Sequence, residues 1–248
     1  MLKQNSEFGI EFDLKSAEPS LNTNRNDLGK LDVSSASFHS VSRRGLCLIL
    51  SSPSGAGKTT LARRLLASDA HLSHSISVTT RPPRPQEQEG VDYFFVTRKR
   101  FEKLRHEGEL LEWAQVFGNL YGTPAKPVQT ALAEGMDIVF DVDWQGAASI
   151  ATLLPHDVVR IFILPPSAEE LSRRIYARGS DPEDVIEARL RAAAIEISHW
   201  TDYDYVIVNH DIDESLSVLK AILDAERLKR HRQIGLADFV SSLTSDVE

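Results

Sequence analysis

The sequence predicts an α/β protein in which a mostly parallel β-sheet is covered by helices on both faces. Short, continuous apolar runs recur along the chain, at residues 46–50, 137–142, 158–164 and 205–208. Segments with the apolar spacing of a helix lie between these runs, at residues 61–67, 128–134, 168–177 and 214–229. Continuous apolar runs are typical of strands buried on both faces, and alternation of strand and helix is typical of parallel sheets.

The N-terminal segment, residues 1–42, differs from the rest of the chain. It is rich in Ser, Asn and Asp and shows no sustained apolar period. Such a composition buries too little surface to order itself, so we expect a disordered or loosely held extension. An organellar transit peptide is disfavoured, because those segments are poor in acidic residues.

A glycine-rich loop, residues 51–60, follows the first buried run and precedes the first helical segment. Its glycines allow backbone N–H groups to converge on an anion, and the helix N-terminus adds partial positive charge. Lys58 can reach the β- and γ-phosphates of a nucleotide, and the Thr59 hydroxyl can bind Mg²⁺. We therefore expect ATP to be bound by Ser52, Pro53, Ser54, Gly55, Ala56, Gly57, Lys58, Thr59 and Thr60.

The loop departs at one position from the general pattern G-x-x-x-x-G-K-[ST], because Ser52 stands where that pattern has glycine. The alternative is a glycine-rich turn without a ligand. Gly55, Gly57, Lys58 and Thr59, set between a strand and a helix, favour the phosphate-binding interpretation.

Two segments interrupt the alternation of strand and helix. Residues 76–123 contain short strand-like stretches and predict a small inserted α+β lobe. Residues 178–200 are charged and rich in alanine, and Asp181 with Pro182 is typical of a helix start, so a helical hairpin or lid is expected there. The resulting domain spans residues 43–235, with a core of 43–75 and 124–235, and residues 236–248 form a C-terminal tail.

Several motifs together resemble the guanylate kinase family. They are SVTTRPPRP at residues 77–85, DYFF at 92–95, LEWA at 111–114, GNLYGT at 118–123 and DVDWQG at 141–146. Their order and spacing hold from about residue 45 to about residue 225. The resemblance implies a P-loop NTPase three-layer fold with a GMP-binding lobe and a helical lid. It also implies transfer of the γ-phosphoryl group of ATP to GMP, in purine nucleotide recycling and GTP supply.

The residues of the lobe suit a monophosphate acceptor. Arg81 and Arg84, three apart on a proline-stiffened segment, can bind a phosphate through bidentate hydrogen bonds, although a solvated surface pair is the ordinary alternative. Tyr93 and Tyr121 offer hydroxyl groups to the same phosphate, with ordinary packing as their alternative.

A carboxylate can accept from both N1–H and the amino group of guanine, whereas adenine would leave it unpaired. By resemblance Glu112 is this guanine reader, and a surface glutamate on an edge strand is the alternative. The resemblance also implies that Ser77, Thr123 and Asp141 complete the GMP site. Asp141 ends a buried apolar run at its C-terminal end, where ligands collect in open α/β sheets. Asp141 and Asp143 resemble the acidic pair of the family, although Asp143 could instead cap a helix.

The resemblance assigns catalytic roles to Arg174, Arg178 and Arg189, in addition to Lys58 and Arg81. Phosphoryl transfer depends on positioning and charge neutralisation, which arginines on a closing lid supply. The neighbours Arg173 and Arg191 are expected on a solvated helix face. Residues 202–211, with Asn209 after an apolar strand, are predicted to line the adenine end.

Composition excludes several classes of protein. The 248 residues are 42% hydrophobic, and a formal net charge of −8 argues against binding nucleic acid by charge alone. No apolar run is long enough to span a membrane, and the N-terminus lacks the apolar core of a secretory signal. The single cysteine, Cys47, excludes a disulfide framework. We therefore expect a cytoplasmic monomer or homodimer with no nucleic-acid or membrane partner.

Three other functions share part of these features. A GTPase would usually carry an N-K-x-D stretch, which the sequence lacks. A non-catalytic interaction domain with the same fold would not need Lys58, Thr59 or the lid arginines. A kinase for another phosphorylated sugar or nucleotide is disfavoured by residues 81–123.

Overall fold

The computed structural model describes residues 42–116, 118–177 and 183–245. The expected N-terminal extension lies outside these residues, apart from Ser42. Residues 178–182, at the start of the expected lid, lie outside them as well, and they include the predicted catalytic residue Arg178.

Nine strands occur in the described part of the chain. They are β1 (Cys47–Ser51), β2 (Leu72–His74), β3 (Val78–Thr79), β4 (Phe94–Phe95), β5 (Leu110–Val116), β6 (Asn119–Pro124), β7 (Asp137–Asp141), β8 (Val158–Leu164) and β9 (Tyr205–Val208). The helices are α1 (Lys58–Ser68), α2 (Arg98–His106), α3 (Ala125–Ala133), α4 (Trp144–Leu153), α5 (Ala168–Ala177), α6 (Glu183–Ser198), α7 (Ile212–Arg227) and α8 (Leu236–Ser245). Short 3₁₀ turns lie at Trp200–Asp202 and Arg230–Arg232.

The larger sheet is parallel throughout its described pairings, in the order β2-β7-β1-β8-β9. β1 lies at the centre, with Leu50 opposite Asp141 on β7 and Ser51 opposite Phe162 on β8. Because parallel strands end at the same edge, the loops after β1 and β7 and the start of α4 meet there.

Both faces of this sheet are buried. On one face, Leu48 and Leu50 of β1 pack with Leu61 and Leu65 of α1, in a cluster that also includes residues of α7. On the other face, Cys47 and Ile49 pack with residues of α3 and α4. The predicted three-layer α/β architecture, with helices on both faces, is therefore confirmed.

The smaller sheet has the order β4-β3-β6-β5 and is mixed, with β3 parallel to β4 and antiparallel to β6. Val78, Leu110 and Leu120 pack under α2 against Phe101 and Leu104. Leu111, on the same strand as Leu110, belongs instead to the core beneath the parallel sheet. β5 therefore joins the two cores, as period-two alternation along a strand allows.

α5 and α6 pack against each other through Leu171 and Ile175 on α5 and Ile186 and Ala193 on α6. The helical character expected for residues 183–198 is confirmed. In the described part of the segment expected to form a helical hairpin or lid, α6 packs on the preceding helix α5.

Arginine–carboxylate pairs connect the chain at the amino end of the parallel sheet. Asp137 is fully buried and accepts hydrogen bonds from Arg43 at 2.7 and 2.9 Å and from Arg227 at 2.7 Å. Arg44 binds Asp157 through two 2.7 Å hydrogen bonds. Bidentate pairs of this kind fix orientation as well as neutralising buried charge.

The sequence patterns did not predict several elements, which are β2, β6, α2, α4 and α8. β2 has only three residues, too few for a periodic signal. α4 begins with Trp-Gln-Gly-Ala-Ala, in which small residues hide the apolar stripe, and Asp143 caps it by accepting from the Gly146 N–H at 2.8 Å. The helix-cap interpretation of Asp143 is thus confirmed.

Candidate active site

The loop between β1 and α1 has the backbone of an anion cradle. Gly55 and Gly57 have φ values of 97° and 101°, in the left-handed region that favours glycine. The Ala56 N–H donates to the Pro53 carbonyl oxygen at 3.1 Å, which closes the turn, and α1 begins at Lys58. The helix N-terminus and its first lysine therefore lie directly behind the loop, where they favour negative charge.

Asn209, directly after β9, supports this loop from below. Its side-chain amide donates to the Ala56 carbonyl oxygen at 2.7 Å, and its own oxygen accepts from the Ser215 hydroxyl at 2.9 Å. A Cβ on Gly57 would lie 2.4 Å from the Asn209 amide nitrogen. Gly57 is therefore required by its backbone conformation and by the close approach of Asn209.

α5 closes on the loop from another side. A Cβ on Gly55 would lie 3.3 Å from Leu171, and the Arg174 guanidinium donates to the Gly55 carbonyl oxygen at 3.4 Å. Glu170 binds Arg174 at 2.6 Å and Arg173 at 2.7 Å, and these two arginines lower the pKa of Glu170 to about 2. Glu170 therefore stays ionised and orients Arg174 toward the loop.

Carboxylates from other elements surround Lys58. Its ammonium group pairs at 2.5 Å with Asp141, which ends β7 as the sequence predicted. Glu196, on α6, accepts a hydrogen bond from the Ser54 backbone N–H, and burial raises the pKa of Glu196 although Lys58 opposes the shift. The loop therefore contacts the central sheet and both helices of the α5–α6 pair.

Glu112 lies on the smaller sheet, opposite Thr123 in the β5–β6 ladder. The fully buried Thr123 hydroxyl donates to the Glu112 carboxylate at 2.7 Å. Burial raises the pKa of Glu112, and the nearby charge of Asp143 raises it further, while the Thr123 hydrogen bond opposes both. β5 is an edge strand of the smaller sheet, and Glu112 on it is half-buried.

Arg81 lies at the centre of an aromatic and charged cluster. Its guanidinium carbon is 5.4 Å from the Tyr93 ring centre and 6.0 Å from that of Phe95, and it interacts with the Tyr121 hydroxyl. The Tyr93 and Tyr121 rings meet edge to face at 6.0 Å. Arg81 and the two tyrosines are therefore brought together as the sequence analysis expected.

The other residues in the predicted site are placed as follows. Thr59 and Thr60 are exposed on the first turn of α1, and the Ser52 hydroxyl donates to the Pro53 carbonyl oxygen at 3.1 Å. Ser77 immediately precedes β3 and is half-buried, the Arg84 side chain is exposed, and Arg189 is half-buried on α6. Arg173 and Arg191 each have 68% of the side chain exposed and pair with helix neighbours, as expected for a solvated face.

The sequence patterns did not single out Glu87, Glu170 or Glu196. The segment predicted to line the adenine end contains Asn209, whose side-chain amide contacts the phosphate loop. Glu170 and Arg174 are four residues apart on a helix, a spacing that could have indicated their pairing. Glu87 and Glu196 carry no local signal, because their partners are set by a turn and by helix packing.

Within the described ranges, no helix is long and apolar enough to cross a membrane.

The fold and the site define the class of protein. A parallel strand, a loop with two left-handed glycines and a helix that begins at a lysine form a nucleotide phosphate site, and a second, smaller sheet carries a carboxylate and an arginine cluster. This is the arrangement of a phosphate-loop phosphotransferase.

Comparison with known proteins identifies the family. The guanylate kinase family model matches residues 44–226, more than half of the chain. A guanylate kinase from Zymomonas mobilis is 53% identical over 214 residues, which are 86% of this chain and 99% of that protein. A guanylate kinase from Mesorhizobium japonicum is 54% identical over 206 residues, or 83% of this chain and 94% of that protein.

A solved structure agrees with these relatives. The crystal structure of guanylate kinase from Anaplasma phagocytophilum matches with a TM-score of 0.65 and 43% identity, over 82% of this chain and 96% of that one. The chain belongs to the guanylate kinase family. The resemblance found in the sequence and the P-loop three-layer fold that it implied are both confirmed.

Proposed function

We propose that the phosphoryl group passes from ATP on the glycine-rich loop to GMP on the smaller sheet, across the edge where Lys58 meets Asp141. As a member of its family, the chain is an ATP:GMP phosphotransferase that produces ADP and GDP. The observation that carries the assignment of the two sites is Glu112, a half-buried carboxylate whose pKa is raised by burial and by the charge of Asp143, directly before α4. Partial burial of a carboxylate is unfavourable without donors, and guanine supplies two.

On the donor side, residues 52–60 bind the phosphates of ATP. Backbone N–H groups of the loop and the N-terminus of α1 contact the phosphate oxygens, and Lys58 neutralises the β- and γ-phosphates. Its present partner, Asp141, holds the ammonium group at the edge of the sheet. The negative charge that develops in the transition state thus meets a cation positioned in advance.

On the acceptor side, Glu112 accepts from guanine N1–H and the amino group, while Thr123 orients its carboxylate. Arg81, Arg84, Tyr93 and Tyr121 bind the phosphate of GMP, and Ser77 and Asp141 complete the site. Arginine suits this role because its charge does not titrate and its planar group can make two parallel hydrogen bonds.

The transferred phosphoryl group is stabilised by arginines. Arg174, held by Glu170, already reaches the loop at the Gly55 carbonyl oxygen. Arg189 acts from α6, and Arg178 acts from the segment outside the described residues. Closure of the lid, residues 178–200, excludes water and completes this charge arrangement.

Magnesium fits the donor side. No group of three His, Cys, Asp or Glu side chains that could hold a metal ion occurs among the described residues. Mg²⁺ commonly binds through one or two protein oxygens together with phosphates and waters, so the exposed Thr59 hydroxyl beside Lys58 suffices. Thr59 therefore holds Mg²⁺, which supplies charge to the phosphates when bound.

The remaining proposals concern organisation and setting. The domain covers residues 43–235, with the GMP-binding lobe at 76–123, after an N-terminal extension of residues 1–42. The protein acts in the cytoplasm as a monomer or homodimer in purine nucleotide recycling, with no nucleic-acid or membrane partner. The net charge of −8 supports the part of this proposal that concerns nucleic acid.

An acceptor panel tests the proposed function. ADP release from ATP and Mg²⁺ is measured with GMP, AMP, UMP or no acceptor, using the wild-type protein and Lys58→Ala as the matched inactive variant. We expect ADP release with GMP, orders of magnitude less in folded Lys58→Ala, and little with the other acceptors. Equal rates with AMP and GMP would overturn the assignment of Glu112, and full turnover by folded Lys58→Ala would overturn that of the donor site.

A further inference from the structure

Glu87 connects both parts of the arginine segment. One carboxylate oxygen accepts from Arg81 Nη2 at 2.7 Å, and the other accepts from the Arg84 backbone N–H at 2.8 Å. The Glu87 N–H donates in turn to the Arg84 carbonyl oxygen at 3.0 Å. A single side chain thereby closes the turn of residues 84–87 and fixes the guanidinium that precedes it.

The contact is well shielded and directional. The side chains of Arg81 and Glu87 are only 14% and 15% exposed, and Arg81 Nη1 also donates to the Pro82 carbonyl oxygen at 2.9 Å. Arg81 additionally lies beside the Tyr93 ring. An arginine has five N–H donors, so these contacts orient the group and still leave donors for a phosphate.

The negative charge of Glu87 is by itself unfavourable for phosphate binding at this cluster. Arg81 holds the pKa of Glu87 below its usual range, so Glu87 is ionised at neutral pH. A carboxylate next to an anion-binding cluster repels the anion and so lowers its affinity. Glu87 increases the affinity for a phosphate only if the orientation that it imposes on Arg81 outweighs this repulsion. Removing the charge therefore separates the two effects, because they change phosphate affinity in opposite directions.

We infer that Glu87 is a positioning residue for the acceptor phosphate, which presets Arg81 and the Arg84 backbone before GMP binds. This inference rests on the proposed function of the same cluster. It assigns Glu87 no contact with GMP. Its effect passes through Arg81 and the turn, and it concerns the phosphate rather than the base.

The test compares Glu87→Ala and Glu87→Gln with wild type. Glu107→Gln is the matched control, because it removes the same charge from an exposed pair with Lys103, at 3.8 Å, at the C-terminal end of α2. For each protein, KM and kcat for GMP, KM for ATP, the melting temperature and the inhibition constant of guanosine are measured. Guanosine carries the base but lacks the phosphate.

We expect Glu87→Ala to raise KM for GMP about 10-fold to 100-fold, the range for a lost charged hydrogen bond, with a smaller change in kcat. Glu87→Gln keeps one acceptor oxygen and should fall between Glu87→Ala and wild type. The inhibition constant of guanosine, KM for ATP and all values for Glu107→Gln should stay within about twofold of wild type, because an exposed ion pair contributes little.

Three outcomes overturn the inference. Tighter GMP binding by Glu87→Gln would make Glu87 a competitor of the phosphate, and an unchanged KM in both variants would make it a bystander. An equal loss of GMP and guanosine affinity, with a lowered melting temperature, would make it a general support of the lobe. If instead wild-type protein binds guanosine as tightly as GMP, or Arg84→Ala leaves GMP affinity intact, the proposed phosphate site itself fails.

Discussion

The side chain of Asn209 is hydrogen-bonded to the backbone of Ala56, with 2.7 Å between the amide nitrogen and the carbonyl oxygen. The two residues are 153 positions apart in the chain, and Asn209 is 4% exposed. Ser215, on α7, holds the Asn209 oxygen at 2.9 Å and so orients the amide. The phosphate loop is therefore supported by the end of β9 as well as by its own turn.

Asn209→Asp should disrupt the loop while keeping the size of the side chain. A buried carboxylate would face the Ala56 carbonyl oxygen, so a donor is lost and two acceptors meet, which costs about 1–3 kcal/mol or more. We expect a lower melting temperature and a KM for ATP raised several-fold, with a smaller change for GMP. Ser215→Ala is the control, because it removes only the hydrogen bond from Ser215 to Asn209, and its effects should be smaller. A wild-type melting temperature and KM for ATP in Asn209→Asp would show that Asn209 does not support the loop.

Gly57→Ala should be more damaging than its size suggests. Its φ of 101° disfavours any L side chain by about 1–2 kcal/mol, and its new Cβ would lie 2.4 Å from Asn209. Gly108→Ala is a matched control, because Gly108 has a φ of 71° but a Cβ there would meet no atom of the described residues within 4 Å, apart from its chain neighbours. In chemical denaturation, both variants should be less stable than wild type, and Gly108→Ala only moderately so. ATP affinity should fall for Gly57→Ala and stay unchanged for Gly108→Ala. Equal effects of the two substitutions would contradict the clash with Asn209.

Glu112→Gln and Arg84→Ala should fail in different ways. Glu112→Gln replaces an acceptor oxygen by a donor, so one guanine N–H loses its partner at a cost of about 1.5–3 kcal/mol. kcat/KM for GMP should fall about 10-fold to 100-fold, and the preference for GMP over AMP should shrink. Arg84→Ala should weaken both acceptors alike. An unchanged ratio of GMP to AMP efficiency in Glu112→Gln would remove Glu112 as the base reader.

The raised pKa of Glu112 predicts a pH dependence of stability. Because the folded protein binds this proton more tightly than the unfolded chain does, the stability contributed by Glu112 falls as pH rises through its folded pKa. Gln at this position is never charged. Without nucleotide, Glu112→Gln should therefore have a higher melting temperature than wild type at pH 7. The difference in melting temperature should narrow as the pH falls toward 4.5, the ordinary pKa of glutamate. A gap that stays constant between pH 4.5 and about pH 8 would contradict this prediction.

Local sequence patterns were sufficient for much of the fold. The continuous apolar runs predicted β1, β7, β8 and β9, because a strand buried on both faces has no polar face to interrupt it. Glycines followed by Lys58 between a strand and a helix indicated the phosphate loop for the same local reason. The position of Asp141 at the end of a buried run likewise predicted its place at the edge of the sheet.

Other features depend on residues that meet only after folding. The bulk of α4 carries small residues and β2 has three residues, so neither has a periodic signal. The partners of Glu87 and Glu196 come from a closed turn and from packing of α6 on the loop. Glu107 is also a glutamate but forms an ordinary exposed ion pair, so residue type alone does not distinguish it from Glu87 or Glu196.

The sequence by itself determined the class of fold, the family and the phosphate loop, because each is encoded in short motifs of neighbouring positions. Only the tertiary structure decided which groups support them. Asn209 reaches Ala56 because β9 and β1 flank β8 in one parallel sheet, and Glu112 is half-buried on a strand whose neighbouring residue, Leu111, enters the other core. Such contacts follow from topology and side-chain packing, for which the spacing of residues along the chain carries no signal.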